Sequence, residues 1–364
     1  MIVRKVTDRW MWVTPPLAIV LLVFTLGQHP PGAVVAVASV VLGGAVLAAV
    51  HHAEVVAHRV GEPFGSLVLA LAVTVIEVAL IVTLMAGGGE KSATLARDTV
   101  FAAVMITCNG IVGLSILFGS LRHGIAVFRA EGTGSALSTI ATLATLSLVL
   151  PNFTTSAPGP EFSTPQLVFA AVAALLLYGL FVATQTVRHR DYFLPVTKHG
   201  VVVHTEEHAE APSGRATLAS LGVLLLALVG VVGLAKVISP TIESGVEAAG
   251  MPHAVVGVVI ALLVLLPETI AALRAARRDR LQTSLNLAFG STMASIGLTV
   301  PAVAIASYWL SGPLVLGLGA SHMVLLALTL VVATLTVIPG RATPLQGGLH
   351  LAVLAAFLEL AVVP

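Results

Sequence analysis

Runs of about twenty apolar residues recur along this 364-residue chain, and no other feature restricts its fold as strongly. A hydrocarbon core of about 30 Å is crossed by a helix of roughly 20 residues. Inside that core every backbone amide must be bonded within its own segment, so such runs become helices. Counting them places eleven, at 11–28, 32–52, 64–86, 98–120, 136–150, 166–187, 216–238, 253–273, 284–308, 313–338 and 345–363. The chain is 57% hydrophobic and 10% charged, with a mean hydropathy of +1.02. A soluble domain carries about 25% charged residues, so membrane lipid is the expected cover for most of this surface. A net charge of +1 gives no reason to expect nucleic acid as a partner. Cys108 is the only cysteine, which excludes an internal disulfide, and its place in an apolar run reads as packing. No small-residue cleavage motif follows the first run, which therefore reads as a retained span.

Positive charge is divided unevenly between the loops. One alternate set holds Arg4, Lys5, Arg9, Arg59, Arg122, Arg129, Arg188, Arg190, Lys198, Arg215, Arg274, Arg277, Arg278, Arg280 and Arg341, which is 15 of the 18 Lys and Arg. The other set holds Lys91 and Arg97, with Lys236 at a helix end. The positive-inside rule then places the N-terminus in the cytoplasm and the C-terminus outside. The cluster RAARRDR at 274–280 reads as an anchor of this kind, with anionic lipid within its reach.

Two carboxylates break the apolar pattern. Glu77 lies mid-run in LALAVTVIEVALIVTLMAG, residues 69–87, and Glu268 lies deep in VVIALLVLLPETIAAL, residues 258–273. Of the 17 Asp and Glu, these alone fall well inside apolar runs. They stand in the third and eighth runs, and each following run carries an asparagine and glycines. A motif that returns five helices later crosses the membrane in the opposite sense. The expected architecture is therefore all-α, with two inverted five-helix repeats at 32–187 and 216–364. Residues 1–31 form an extra N-terminal helix, and 188–215 form a cytoplasmic linker. Inverted repeats place their site near the bilayer midplane, where the halves meet. The linker carries His204, Glu206, Glu207, His208 and Glu210. It reads as a solvated connection or as a sensor of pH or divalent cations.

An ionisable side chain buried in a membrane is a functional candidate. Carboxylate oxygens suit hard cations such as calcium, which takes six to eight oxygen ligands. When the cation leaves, two facing carboxylates repel and take up protons. Cation and protons then compete for the same oxygens. Further ligand candidates are Thr74, one turn before Glu77 on its face, and Asn109, Ser291 and Ser295 from the adjoining runs. Pro267 cannot donate a backbone N–H, which leaves the Leu263 carbonyl without its helical partner. His51, Glu54 and His58 share a helix face at the cytoplasmic end of the second run. With Asn286 they are candidates for a gate or proton path. Gly110, Gly113, Gly290 and Gly297 suit close helix crossings.

The stretches HHAEVVAHRVGEPFGSLVLALAVTVIEVALI, LARDTVFAAVMITCNGIVGL and LLPETIAALRAARRDRLQTSLNLAFGSTMASIGLTVPAV carry a resemblance. Across about residues 50–303 the chain resembles bacterial calcium/proton antiporters of the ChaA type, in the cation/calcium exchanger superfamily. The resemblance implies the inverted-repeat fold in a bacterial inner membrane. It also implies alternating access driven by the proton gradient, with Glu77 and Glu268 binding cation and protons in turn. No cofactor is implied beyond the transported ions. Many such exchangers carry Gly-Asn-x-x-Glu, whereas Thr74 and Leu265 stand here three residues before the glutamates. That departure keeps sodium or potassium beside calcium as the cation. Two rival classes are an intramembrane enzyme and a cation channel. The enzyme lacks a mid-span Asp pair or a Ser paired with an embedded His. A channel makes little use of a single buried pair.

Overall fold

The computed structural model describes residues 9–28, 30–61, 64–86, 93–196, 212–310 and 312–363. The linker's His/Glu cluster, His204, Glu206, Glu207, His208 and Glu210, lies outside the described residues. Twelve helices follow in order, with two short strands between them. They begin with α1 (Arg9–Thr25), α2 (Gly32–Val60) and α3 (Phe64–Met85). Helix α4 runs through Leu95–Met105, a π turn Ile106–Ile111 and Val112–His123. Helix α5 is Ala130–Ala144, prolonged by Thr145–Val149 and Leu150–Phe153. Helix α6 is Thr164–Ala183 with a π turn Thr184–Arg188. Then come α7 (Gly214–Ala248), α8 (Ala254–Val264), α9 (Leu266–Arg277), α10 (Leu281–Ala306), α11 (Ala320–Val337) and α12 (Pro344–Val362). The strands β1 (Ala126–Val127) and β2 (Arg341–Ala342) form one antiparallel pair.

Every apolar run falls on a helix. Among the described residues nine helices are long and apolar enough to cross a membrane, and α8 with α9, bent by 54°, makes a tenth. The 17 residues of α1 reach about 26 Å at 1.5 Å per residue, short of a full hydrocarbon core. The run expected at 313–338 becomes helical only from Ala320. Before it, the backbone is drawn into loop bonding by Val315 N–H to Ala93 O and Gly317 N–H to Pro160 O. The bend between α8 and α9 falls at Leu265–Leu266, beside Pro267, whose missing donor interrupts the helical ladder.

The helices form two apolar cores. One joins α1, α2, α3 and α7 with part of α8, through residues such as Ala45, Ile76, Val231 and Ile260. The other joins α4, α5, α6, α10, α11 and α12, through residues such as Phe101, Ile140, Phe289 and Phe357. Across the two, α3 packs on α10 and α8 packs on α4. Helices α4 and α10 are the most enclosed, and hydroxyl pairs tie them together: Thr107 with Thr292, and Ser284 Oγ to Ser115 Oγ at 2.7 Å.

The loops bond in two separate sets. The arginine-rich set is joined by β1–β2 pairing, by Arg129 Nη1 to Asp191 O at 2.8 Å and by Arg129 N–H to Gln282 Oε1 at 2.6 Å. The opposite set is joined by the Ala93, Pro160 and Val315–Leu318 backbone and by Arg97 Nη1 to Gly317 O at 3.1 Å. Loops that the chain reaches on alternate crossings thus gather at opposite ends of the molecule.

Gly257 of α8 sets the spacing to α4. A Cβ there would stand 3.1 Å from the backbone carbon of Asp98 and the backbone nitrogen of Thr99, and neither can swing aside. Overpacking of this kind costs about 1–3 kcal/mol. Gly257→Leu is expected to lower the melting temperature of the purified protein in detergent, and an unchanged melting curve would refute this contact.

Candidate functional site

Glu77 points from α3 into the protein interior with 4% of its surface exposed. Ser295 Oγ of α10 donates to Glu77 Oε1 at 2.5 Å. Glu268 lies in the first turn of α9, immediately after the bend. Its Oε2 is buried and has no hydrogen-bond partner among the described residues. Both carboxylates line one cavity of about 240 Å³. The cavity sits at the seam between the two apolar cores, which is why neither glutamate is smothered by packing. A liquid water occupies about 30 Å³, so several waters or a partly hydrated cation fit here.

Six of the residues singled out from sequence meet in this cavity: Glu77, Glu268, Thr74, Ser291, Ser295 and Asn286. The bend at Pro267 turns the Glu268 carboxylate into it, and the α3–α10 contact brings Ser295 to Glu77. Tyr178, Gln185 and Thr283 also line it and were not foreseen. Gln185, a polar residue near the end of an apolar run, was the one available signal. From the two glutamates the wall passes Thr283, Asn286 and Gln185 toward the arginine-rich end. Near the opposite loop set, Asp98 accepts from Thr94 Oγ1 at 2.8 Å and pairs with Arg97 Nη2 at 2.8 Å, where α4 approaches α8 closely at Gly257.

Asn286 stands at the mouth, but its amide is already bonded. Asn286 Nδ2 donates to Phe193 O at 2.7 Å, and Gln282 Nε2 donates to Asn286 Oδ1 at 2.9 Å. Phe193 in turn packs edge-on against Phe181 of the cavity wall at 5.7 Å. Asn286 thereby fastens the α6–α7 connection to α10.

Asn109 is not brought to the cavity. Its Nδ2 donates to Thr329 Oγ1 at 2.9 Å, and its Oδ1 is 3.2 Å from His350 Nδ1, between α4, α11 and α12. The cause is the π turn Ile106–Ile111: a turn with one extra residue rotates the side chains in and after it by about 100° from a regular helix. The expected ligand is instead part of a closed network completed by His350 Nε2 and Thr336 Oγ1 at 3.2 Å. Among the glycines, Gly110, Gly113 and Gly297 do sit at close crossings, against Leu354, His350 and Tyr178. Gly290 does not, because a Cβ there meets nothing within 4 Å and faces the cavity.

His51, Glu54 and His58 lie on α2 and do not line the cavity. Glu54 and His58 are exposed, and Glu54 is within electrostatic reach of His51, Arg274 and Glu268. Among the described residues no three His, Cys, Asp or Glu side chains gather as a metal centre. The cation-binding chemistry available is that of a carboxylate pair with hydroxyls and water.

The cavity geometry has a direct chemical readout. Gly290→Cys is expected to react with a small water-soluble thiol reagent at least roughly tenfold faster than Cys108, which is fully buried, because access governs thiol reaction rates. Equal rates at the two positions would mean that the cavity is not open at Gly290.

Known proteins resemble this chain in sequence and in fold. The family described as sodium/calcium exchanger protein matches residues 31–187 and 219–363. The protein y4hA of Sinorhizobium fredii is 46% identical over 362 residues, covering 98% of this chain and 96% of that one. The sodium-potassium/proton antiporter ChaA of Escherichia coli is 35% identical over 350 residues, covering 95% and 94%. The crystal structure of the H+/Ca2+ exchanger CAX superposes with a TM-score of 0.69 at 15% identity, covering 98% of this chain and 92% of that one. That likeness establishes the shared helical exchanger fold. The matched proteins are transporters that need no cofactor, which removes the enzyme reading. The chain belongs to the sodium/calcium exchanger protein family and is a multi-pass membrane exchanger of cations.

Proposed function

We propose that this protein exchanges a cation for protons by alternating access, with Glu77 and Glu268 as the shared binding groups. The supporting observation is that two carboxylates from different helices line one buried cavity, one held by the Ser295 hydroxyl and the other with a bare oxygen. Two carboxylates neutralise one divalent ion, so calcium is the cation that the site suits best. Thr74, Ser291, Ser295 and water supply further oxygens. Sodium or potassium is the second reading. It is favoured by Leu265, an apolar side chain in the cavity wall three residues before Glu268, and by the ions named for the Escherichia coli relative.

We further propose that 32–187 and 216–364 are inverted repeats joined by the 188–215 linker, with α1 as an added first span. The reciprocal packing of α3 on α10 and α8 on α4 supports this reading. By charge, the arginine-rich end faces the cytoplasm of a bacterial inner membrane. On that reading the N-terminus is inside and the C-terminus outside, and Thr283, Asn286 and Gln185 form the cytoplasmic side of the cavity wall. His51, Glu54 and His58 remain proposed contributors to proton entry, on the strength of Glu54's reach to Glu268.

The test is proton flux in everted vesicles containing the purified protein. With an acid interior, calcium, sodium or potassium is added separately. Alkalinisation of the interior is expected with the transported cation, absent in Glu77→Gln and in Glu268→Gln while both variants keep the wild-type elution profile and melting curve. Full exchange by either variant would remove that glutamate from the site. Competition further predicts that the apparent KM for the cation rises as pH falls. Ser295→Ala deletes one hydrogen bond worth about 1 kcal/mol and is expected to weaken apparent cation affinity about fivefold. Affinity unchanged in this variant would exclude the Ser295 hydroxyl as a ligand.

A further inference from the structure

Helix α1 lies outside both segments matched by the exchanger family, yet it is fitted tightly into the molecule. Thr14 stands 2.9 Å from the position of a Cβ on Gly44 of α2, and Ala18 stands 2.9 Å from one on Gly230 of α7. Pro15 and Pro16 lie inside α1. A proline has no N–H, so the carbonyls four residues earlier, those of Met11 and Trp12, lose their helical donors. In a membrane such a carbonyl must find another donor.

For Met11 the donor comes from α2. His52 Nε2 lies 3.2 Å from Met11 O, and the carbonyl can only accept, so the ring donates through Nε2. The His52 side chain is fully buried, with the Trp12 ring edge-on at 4.7 Å and the His51 ring at 5.3 Å. Its Nδ1 has no partner among the described residues, so the donation to Met11 is its one polar bond there. Helix α2 also packs against α9, the helix that carries Glu268.

We propose that His52 is a positioning residue. It pins the added helix α1 to α2 through the acceptor that Pro15 opens, and so fixes the place of α2 against α9, the helix that carries Glu268. The packing half of this inference stands on geometry alone, and its transport half rests on the exchanger reading. Pro15 and His52 are then a matched pair: each makes sense only with the other present.

That reciprocity gives the experiment. Wild type, His52→Leu, Pro15→Ala and the double variant are purified in detergent and their melting temperatures measured. The same four are assayed for apparent cation KM in vesicles. His52→Leu is expected to lower the melting temperature by several degrees and to raise KM several-fold, because Met11 O is left without a donor. In the Pro15→Ala background a backbone N–H returns to Met11 O, and the same substitution is expected to cost much less in both measurements. His52→Gln, whose amide nitrogen reaches the Nε2 position, should retain most of the wild-type values and covers the case in which His52→Leu does not fold. Equal losses from His52→Leu in both backgrounds would overturn the pairing. A rescued melting temperature with KM unchanged throughout would overturn the link to the Glu268 helix. Loss of exchange in all four proteins, with the melting pattern as expected, would fault the exchanger reading and leave the pairing standing.

Discussion

The structure is organised around the cost of placing carboxylates inside a membrane. A bare charge in hydrocarbon is expensive, so Glu77 and Glu268 can exist there only with water, a cation, protons or hydroxyl donors around them. The protein meets this by leaving the seam between its two apolar cores unfilled. Gly290 and the shortness of Ser291 and Ser295 keep the α10 side of that seam open, and the bend before Glu268 turns the second carboxylate into it. A tightly packed interface at this place would have buried both groups dry.

The rest of the architecture serves to hold that seam at a fixed width. Glycines let helix backbones approach where rigidity is wanted, as with Gly257 against Asp98 and Gly297 against Tyr178. Buried hydroxyls and amides tie helices that apolar contacts alone would let slide. Examples are Ser115 with Ser284, and Asn109 with Thr329 and His350. Such bonded groups act as braces, whereas Glu268 Oε2 has no partner among the described residues and belongs to a carboxylate that lines the cavity.

Much of the candidate site was legible in the sequence because the signal was local. A glutamate in the middle of a long apolar run is visible without knowledge of packing, and so is its recurrence five runs later. Neighbours at helical spacing, such as Thr74 before Glu77, follow from the same periodicity. Asn109 illustrates the limit. It sits in the right helix at the right depth, but the π turn at Ile106–Ile111 rotates it toward α11 and α12. Nothing in ITCNGI announces that extra residue in the turn. Gly290 was misread as a packing contact for a similar reason, since whether a glycine faces a neighbour or a void depends on the partner helix.

The amino-acid sequence by itself determined that this chain spans a membrane, that its loops alternate in charge, and that two carboxylates stand well inside apolar runs. These follow from hydropathy, charge counting and spacing, which are properties of single segments. Tertiary structure alone decided which side chains share the cavity and which polar residues are consumed as braces. Those outcomes depend on helix rotation and on contacts between residues hundreds of positions apart, such as Ser295 with Glu77. No local pattern encodes them, because each is settled by the shape of the partner that the helix meets.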